Sequence, residues 1–163
     1  MRIYGLVQDS IVDGPGFRFV CFVQGCTHHC PGCHNPDSHD PGGGTEMSVE
    51  DVGAELLKNP LTDGLTLSGG EPFQQAEDCL TLARLAHSHG LNVWSYTGYT
   101  YEFLRCQGTS AQQALLDEID VLVDGPFLLE RRTLSLPWRG SDNQRVIDLA
   151  ATRSAGTVVL RPD

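Results

Sequence analysis

Positive charge is scarce in this chain of 163 residues: 11 basic residues stand against 21 acidic ones, a formal net charge of −10. Ten of the eleven are Arg. A face basic enough to follow a phosphate backbone is not expected, which disfavours nucleic-acid binding. Long apolar runs are also missing, and none approaches the roughly 20 residues of a membrane span. The opening Met1-Arg2-Ile3-Tyr4-Gly5 does not read as a signal peptide, so a soluble, cytoplasmic protein is expected. There is no Gly-Lys-Ser/Thr, and no G-x-G-x-x-G opens a helix, so a phosphate loop is not expected. The chain is too short for a complete eight-stranded α/β barrel, which takes roughly 250 residues. One domain over 1–163 is expected, with enough apolar residues (40%) to bury a core.

Cysteine and glycine are plentiful, at 6 and 18 residues. A cytosolic setting favours metal or redox chemistry over disulfides. Cys26, Cys30 and Cys33 lie close together, whereas Cys21, Cys79 and Cys106 sit in apolar surroundings and read as core thiols. Glycines cluster beside the apolar runs, as loops built to approach a ligand would require.

Hydrophobic patterning places a buried strand at Phe17–Val23, followed by a long loop over 24–47. Ser48 caps a helix through Leu57. Strands follow at Gly64–Ser68, Leu91–Tyr96 and Asp120–Asp124, with helices at Gln75–His89 and Ala111–Ile119 between them. Thr157–Leu160 reads as a last strand, in a tail (135–163) of uncertain structure. This alternation predicts parallel strands with right-handed crossovers, whose ligands bind at the strands' carboxyl ends. The cysteine loop, Gly69-Gly70-Glu71-Pro72, Tyr96-Thr97-Gly98 and Asp124-Gly125-Pro126 each follow a strand, so all four fall on one rim.

The C-x3-C-x2-C spacing of Cys26, Cys30 and Cys33 brings three soft thiolates to one metal centre. Two centres suit it: a 4Fe–4S cluster with one iron left open, or a zinc knuckle completed by His28, His29 or His34.

The cysteine motif, with Gly-Gly-Glu-Pro after the next strand, resembles the radical S-adenosylmethionine superfamily. Asp13-Gly14-Pro15-Gly16-Phe17-Arg18 and Cys33-His34-Asn35-Pro36 are similar to glycyl-radical-enzyme activating proteins. Further motifs narrow the resemblance to the activating proteins of anaerobic (class III) ribonucleoside-triphosphate reductase. These are Val93-Trp94-Ser95-Tyr96-Thr97-Gly98-Tyr99, Ile119–Phe127, and the tail Ser135-Leu136-Pro137-Trp138-Arg139-Gly140-Ser141 with Asn143-Gln144-Arg145. The likeness runs from Gly5 to about Asp148.

The resemblance implies a partial, open (β/α) barrel of parallel strands. It implies a 4Fe–4S cluster on Cys26, Cys30 and Cys33, and S-adenosylmethionine contacted by Gly32, Cys33, His34, Gly69, Gly70 and Glu71. Gly69 and Gly70 would let the strand end approach the cofactor's methionine part, and Glu71 would orient the loop or accept from its amino group. Thr97 and Asp124 are expected to complete that site. The implied partners are the reductase, which offers a glycine for hydrogen abstraction, and a flavodoxin or ferredoxin as electron donor. Asp13-Gly14-Pro15-Gly16 would stand at the mouth of the site. Arg139, Asn143, Gln144 and Arg145 carry the family signature without an evident physical role. Arg131, Arg132, Arg139 and Arg145 are a candidate basic docking surface. His39, His87 and His89 read as surface residues, and Trp94 as core.

Overall fold

The computed structural model describes residues 1–162; Asp163, the last residue of the expected tail, lies outside them. One seven-stranded sheet organises the chain, in the order β3-β1-β2-β4-β5-β6-β7. Its strands are β1 (Arg2–Ser10), β2 (Arg18–Val23), β3 (Thr45–Glu46), β4 (Gly64–Gly69), β5 (Asn92–Tyr96), β6 (Val121–Asp124) and β7 (Arg145–Asp148). The four expected strands β2, β4, β5 and β6 run parallel, and their near-continuous apolar runs suit strands covered on both faces. The flanks are antiparallel: β1 on β2, β3 on β1, and β7 on β6.

The flanks were not expected from the sequence, and both have physical reasons for being faint. β1 carries register shifts between Ile3 and Gly5 and between Val7 and Ser10, so its inward positions do not alternate cleanly. Tyr4 and Val7 are exposed. β7 is four residues long and starts on Arg145. The strand expected at Thr157–Leu160 is absent among the described residues. Leu160 makes only an isolated bridge to Ile147, and the preceding residues form a helix, α5 (Leu149–Ala155), closed by Gly156 at φ +74°.

The other helices are α1 (Val49–Leu56), α2 (Ala76–Ser88), α3 (Tyr101–Gln107) and α4 (Ser110–Asp117). Ser48 caps α1, its hydroxyl accepting from Asp51 N at 3.1 Å. Thr109 and Gln112 form a reciprocal capping box that starts α4 one residue before the expected boundary. Helices α1, α2 and α4 bury Val52, Leu56, Leu82, Ala83 and Leu115 against Phe19, Cys21, Leu65, Leu67, Val93 and Leu122 of the sheet.

Strand alternation sends Arg18, Thr66 and Trp94 to the opposite face. A smaller cluster of Trp94, Val123 and Val146 lies there under Trp138. Arg18 is fully buried, donating to Thr66 Oγ1 at 2.7 Å and to Leu65 O at 2.9 Å, with its guanidinium 5.6 Å from the Trp94 ring. Burial lowers its pKa to about 10, against the partial opposition of Asp63 and Asp120. Gly14 lies so close over Arg18 that a Cβ there would stand 2.7 Å from Arg18 Cδ. The Asp13–Gly16 turn is thereby seated on the inner face. No helix among the described residues is long and apolar enough to cross a membrane.

Candidate metal and cofactor centre

A cavity of about 500 Å³ opens on the inner face at the carboxyl ends of the parallel strands, a volume suited to a small organic ligand. Phe22, Ser68, Tyr96 and Thr97 form its floor, with Gly69, Gly70 and Gly125 at the strand exits. Cys26, Cys30, Cys33 and His34 form one wall; Trp138, Arg139, Gly140 and Gln144 form another. Val12 and Asp13, the latter from the Asp13–Gly16 turn, also line the cavity. Of the cofactor residues read from sequence, Cys33, His34, Gly69, Gly70 and Thr97 line this cavity, whereas Gly32, Glu71 and Asp124 do not.

The three clustered cysteines carry free thiols, Cys26 buried and the other two half-buried. Burial pushes the Cys26 thiol up, partly offset by the nearby backbone dipoles of His28 and His29. Cys33 Sγ accepts from Asn35 N at 3.5 Å. The loop's root is pinned by Gly25 N to Ser38 O (2.6 Å) and Cys26 N to His39 O (3.1 Å).

Three thiols on one cavity wall, one already receiving an N–H donor, are a donor set suited to an iron–sulfur cluster. Among the described residues no three His, Cys, Asp or Glu side chains gather tightly enough to hold a single ion. A cubane does not require that, because each thiolate binds a different iron. The three imidazoles available to a zinc knuckle turn separate ways: His28 to Glu71, His29 to His39, and His34 to Phe127.

The remaining cysteines divide. Cys21 and Cys79 are buried on the helix-covered face, where burial pushes Cys21 to about 12 and Cys79 well above its ordinary value. Both are core thiols, as expected. Cys106 is not: it is exposed on α3, a seven-residue helix that buries only Leu104. Two residues along a helix turn a side chain about 200° away.

Gly69 adopts φ +96°, and a Cβ there would meet Val23 N at 2.6 Å; one on Gly70 would meet Gly25 O at 2.4 Å. The backbone leaving β4 crosses the backbone leaving β2, joined by Gly70 N to Val23 O and Glu71 N to Gly25 O, both 2.8 Å. The collision these glycines avoid is with the root of the cysteine loop.

Glu71 is fully buried. Its Oε1 accepts from Gly98 N (2.7 Å), Thr97 Oγ1 (2.9 Å) and His28 Nε2 (2.7 Å), and its Oε2 from Phe73 N (3.0 Å). Of the two roles expected for Glu71, loop orientation is the one this geometry serves. Asp124 is similarly occupied: Arg145 Nε and NH2 donate to it at 3.0 and 2.5 Å, and Tyr101 N donates at 2.8 Å. Arg145 also grips Glu102 at 2.9 and 2.7 Å, holding the Glu102 carboxyl below its usual range. Gly32, at φ +74°, faces Leu129, whose Cδ1 would lie 2.8 Å from a Cβ there.

The tail signature acquires its physical role here. Gln144 Oε1 accepts from Gly140 N (2.9 Å) and Ser141 N (3.3 Å), while its Nε2 donates to Gly125 O (3.0 Å). Asn143 donates to Pro126 O at 2.9 Å. These bonds fold residues 138–144 over the inner face and set Trp138 edge-on to Trp94 at 5.7 Å. Trp138 does so at φ +66°, which no sequence pattern announces. Three of the four late arginines are engaged in different ways. Arg131 pairs with Asp142, Arg145 with Asp124 and Glu102, and Arg139 lines the cavity. His87 also departs from expectation, half-buried between Glu118 (3.0 Å) and Asp120 (2.8 Å).

The sequence matches the family described as 4Fe-4S single cluster domain over residues 12–147. Three relatives carry the name anaerobic ribonucleoside-triphosphate reductase-activating protein. That of Salmonella typhimurium is 37% identical over 154 residues, covering 90% of this chain and 97% of the relative. That of Escherichia coli K12 is 39% identical over 149 residues, covering 84% and 92%. That of Enterobacteria phage T4 is 36% identical over 144 residues, covering 84% and 87%.

Proposed function

This chain belongs to the family of the anaerobic ribonucleoside-triphosphate reductase-activating proteins, and from that premise we propose that it is the activase of such a reductase. Cys26, Cys30 and Cys33 would hold a 4Fe–4S cluster, with S-adenosylmethionine in the same cavity. Bound there and supplied with one electron, cluster and cofactor would supply the radical chemistry, by way of a 5′-deoxyadenosyl radical, needed to remove a hydrogen from the Cα of a glycine on the reductase. The protein's own work is to hold, orient and shield. The carboxyl ends of β4 and β5 offer Gly69, Gly70 and Thr97 as a mostly backbone cradle. His34, Trp138 and Arg139 wall the cavity and limit water.

The seven-stranded sheet is helix-covered on one face, and its other face carries the cavity. It reads as a partial, open barrel of one domain, whose open side would admit the glycine-bearing segment. The electron would come from a flavodoxin or ferredoxin; with a net charge of −10 on this chain, an acidic donor must find a locally compensated docking site.

The observation carrying this reading is the convergence of three thiols, four strand ends and the tail signature on one cavity. Anaerobic reconstitution should yield a brown protein with about four irons per chain. With dithionite and S-adenosylmethionine it should form 5′-deoxyadenosine, and it should raise a glycyl radical signal on the reductase. Cys30→Ala should lose all three properties. A colourless wild-type protein holding one zinc and forming no deoxyadenosine would refute the proposal.

A further inference from the structure

The activase reading requires one electron to reach the cluster. Resting on that reading, we propose that the electron enters at Phe103: a flavin-bearing donor protein docks on the exposed face of α3, and the rings of Phe103, Tyr99 and His28 join that face to the cysteine loop.

The three rings form one continuous series. Phe103 is 40% exposed and stacks on Tyr99, with ring centroids 5.2 Å apart and planes 5° from parallel. Tyr99 stands edge-on to His28 at 4.5 Å. His28 belongs to the spacer between Cys26 and Cys30 and lines the cavity with both. These separations are those of aromatic rings in contact. A polar path runs beside them: Gln74 Nε2 donates to the Tyr99 hydroxyl at 3.2 Å and to Thr27 Oγ1 at 2.6 Å, and Thr27 adjoins Cys26. Electron tunnelling weakens exponentially with the distance crossed, and more steeply across gaps than through packed atoms. A closed series of contacts from surface to cluster loop is therefore a favourable crossing.

Each ring is held in place. His28 Nε2 donates to Glu71 Oε1 at 2.7 Å, and Gly98 leaves room for the imidazole, since a Cβ there would lie 2.5 Å from His28 Cδ2. Tyr99 N donates to Thr97 Oγ1 at 3.1 Å, and its carbonyl accepts from Gly125 N at 2.8 Å. Thr100 caps α3, its hydroxyl accepting from Phe103 N at 3.2 Å.

The face also suits an acidic donor. Residues 103–116 include Arg105 and no Asp or Glu, and the one carboxylate of α3, Glu102, is taken up by Arg145. On a chain of net charge −10, such a face spares the donor like-charge repulsion. The exposed Phe103 ring offers a stacking surface to the planar ring system of a flavin. Neither Tyr99 nor Phe103 lines the cavity, so a donor on α3 leaves the cavity free for cofactor and reductase. The donor loses one electron and the cluster gains it; no atom or proton is transferred.

The test sets a purified flavodoxin against the wild-type protein, Phe103→Ala and Gln107→Glu. Gln107 is exposed one turn beyond Phe103 and takes no part in the ring series. Before reconstitution, flavodoxin binding is read from its flavin fluorescence. Phe103→Ala should weaken binding roughly tenfold. Gln107→Glu should slow association at low salt, and by less at high salt. After reconstitution, stopped-flow bleaching reports reduction of the cluster. Both variants should be reduced more slowly than the wild type by reduced flavodoxin, yet at the wild-type rate by dithionite, a small ion that needs no docking. If Ala unsettles Tyr99, Gln107→Glu still isolates the docking face. Equal slowing with both reductants would overturn the entry role, as would unchanged flavodoxin rates or displacement of flavodoxin by S-adenosylmethionine and reductase together. Slower reduction by ferredoxin, with flavodoxin unaffected, would refute the choice of a flavin donor. A wild-type protein that takes up no iron would instead refute the activase reading itself.

Discussion

Glu71→Gln is the substitution on which the site's architecture depends most sharply. It preserves shape and removes charge at a carboxylate that accepts four hydrogen bonds and is fully buried. A glutamine has one acceptor oxygen. With that oxygen in the place of Oε1, the amide nitrogen takes the place of Oε2 and faces the N–H of Phe73, donor against donor. An unmet buried donor costs about 1–3 kcal/mol, and each of the other three bonds loses roughly 0.5–1 kcal/mol of charge assistance. The opposite rotamer sets the amide nitrogen against three donors and is worse.

The expected destabilisation is therefore about 4 kcal/mol. For a domain of this size that lowers the melting temperature by roughly 10 °C. The assay is anaerobic thermal unfolding of the reconstituted protein beside S-adenosylmethionine titrations at a temperature where both proteins remain folded. The variant should melt early yet bind the cofactor at no worse than a few-fold reduced affinity, because Glu71 does not line the cavity. A variant that melts with the wild type and loses cofactor binding would refute the argument, placing the carboxylate on the ligand and not on the loop.

Arg145→Met strands the Asp124 carboxylate, only 1% exposed, with Tyr101 N as its remaining donor. Discounted for Arg145 being about one-third exposed, the loss should be about 2–3 kcal/mol by urea unfolding. Because Arg145 lowers the Glu102 pKa, that pair's contribution is present above the unfolded value near 4.5 and fades as pH falls through the folded one. The variant's stability should be correspondingly flatter in acid. Gly70→Ala drives a methyl to within 2.4 Å of Gly25 O, so it should yield little folded protein, and any that folds should hold far less iron. His87 loses some affinity for a proton through burial, but its bonds to Asp120 and Glu118 outweigh this and raise its pKa. A raised histidine stabilises fully below the unfolded value near 6.5 and ceases to as pH rises through the folded one. Wild-type melting temperature should fall over that window, and His87→Gln should show no such slope.

The parallel centre of the sheet was legible because its strands are apolar throughout, and the rim loops because each follows a strand directly. Phe19-Val20-Cys21-Phe22 and Val121-Leu122-Val123 leave little choice of conformation. Strand β1 was not legible: its bulges break the alternation that periodicity detects. For the site, cysteine spacing and Gly-Gly-Glu-Pro located the right walls, but not what each residue there does. Gly69 and Gly70 look the same in sequence whether a ligand or a neighbouring backbone comes close. Glu71 and Asp124 turn away from the cavity because of Thr97, Gly98 and Arg145, partners about 20 to 30 positions distant. Trp138 and Gln144 could be flagged from resemblance alone, since nothing local tells a tryptophan to adopt positive φ.

The wall supplied by residues 138–144 has a temporal consequence. The thiol wall at Cys26–His34 leaves the ribosome roughly a hundred residues earlier, and vectorial synthesis lets the earlier part begin folding first. Until Trp138 and Gln144 are made, the chain lacks the residues that cover the inner face of the sheet beside the thiols. The cavity is thus assembled from parts made far apart in time, and residues 138–144 are the later of its two walls.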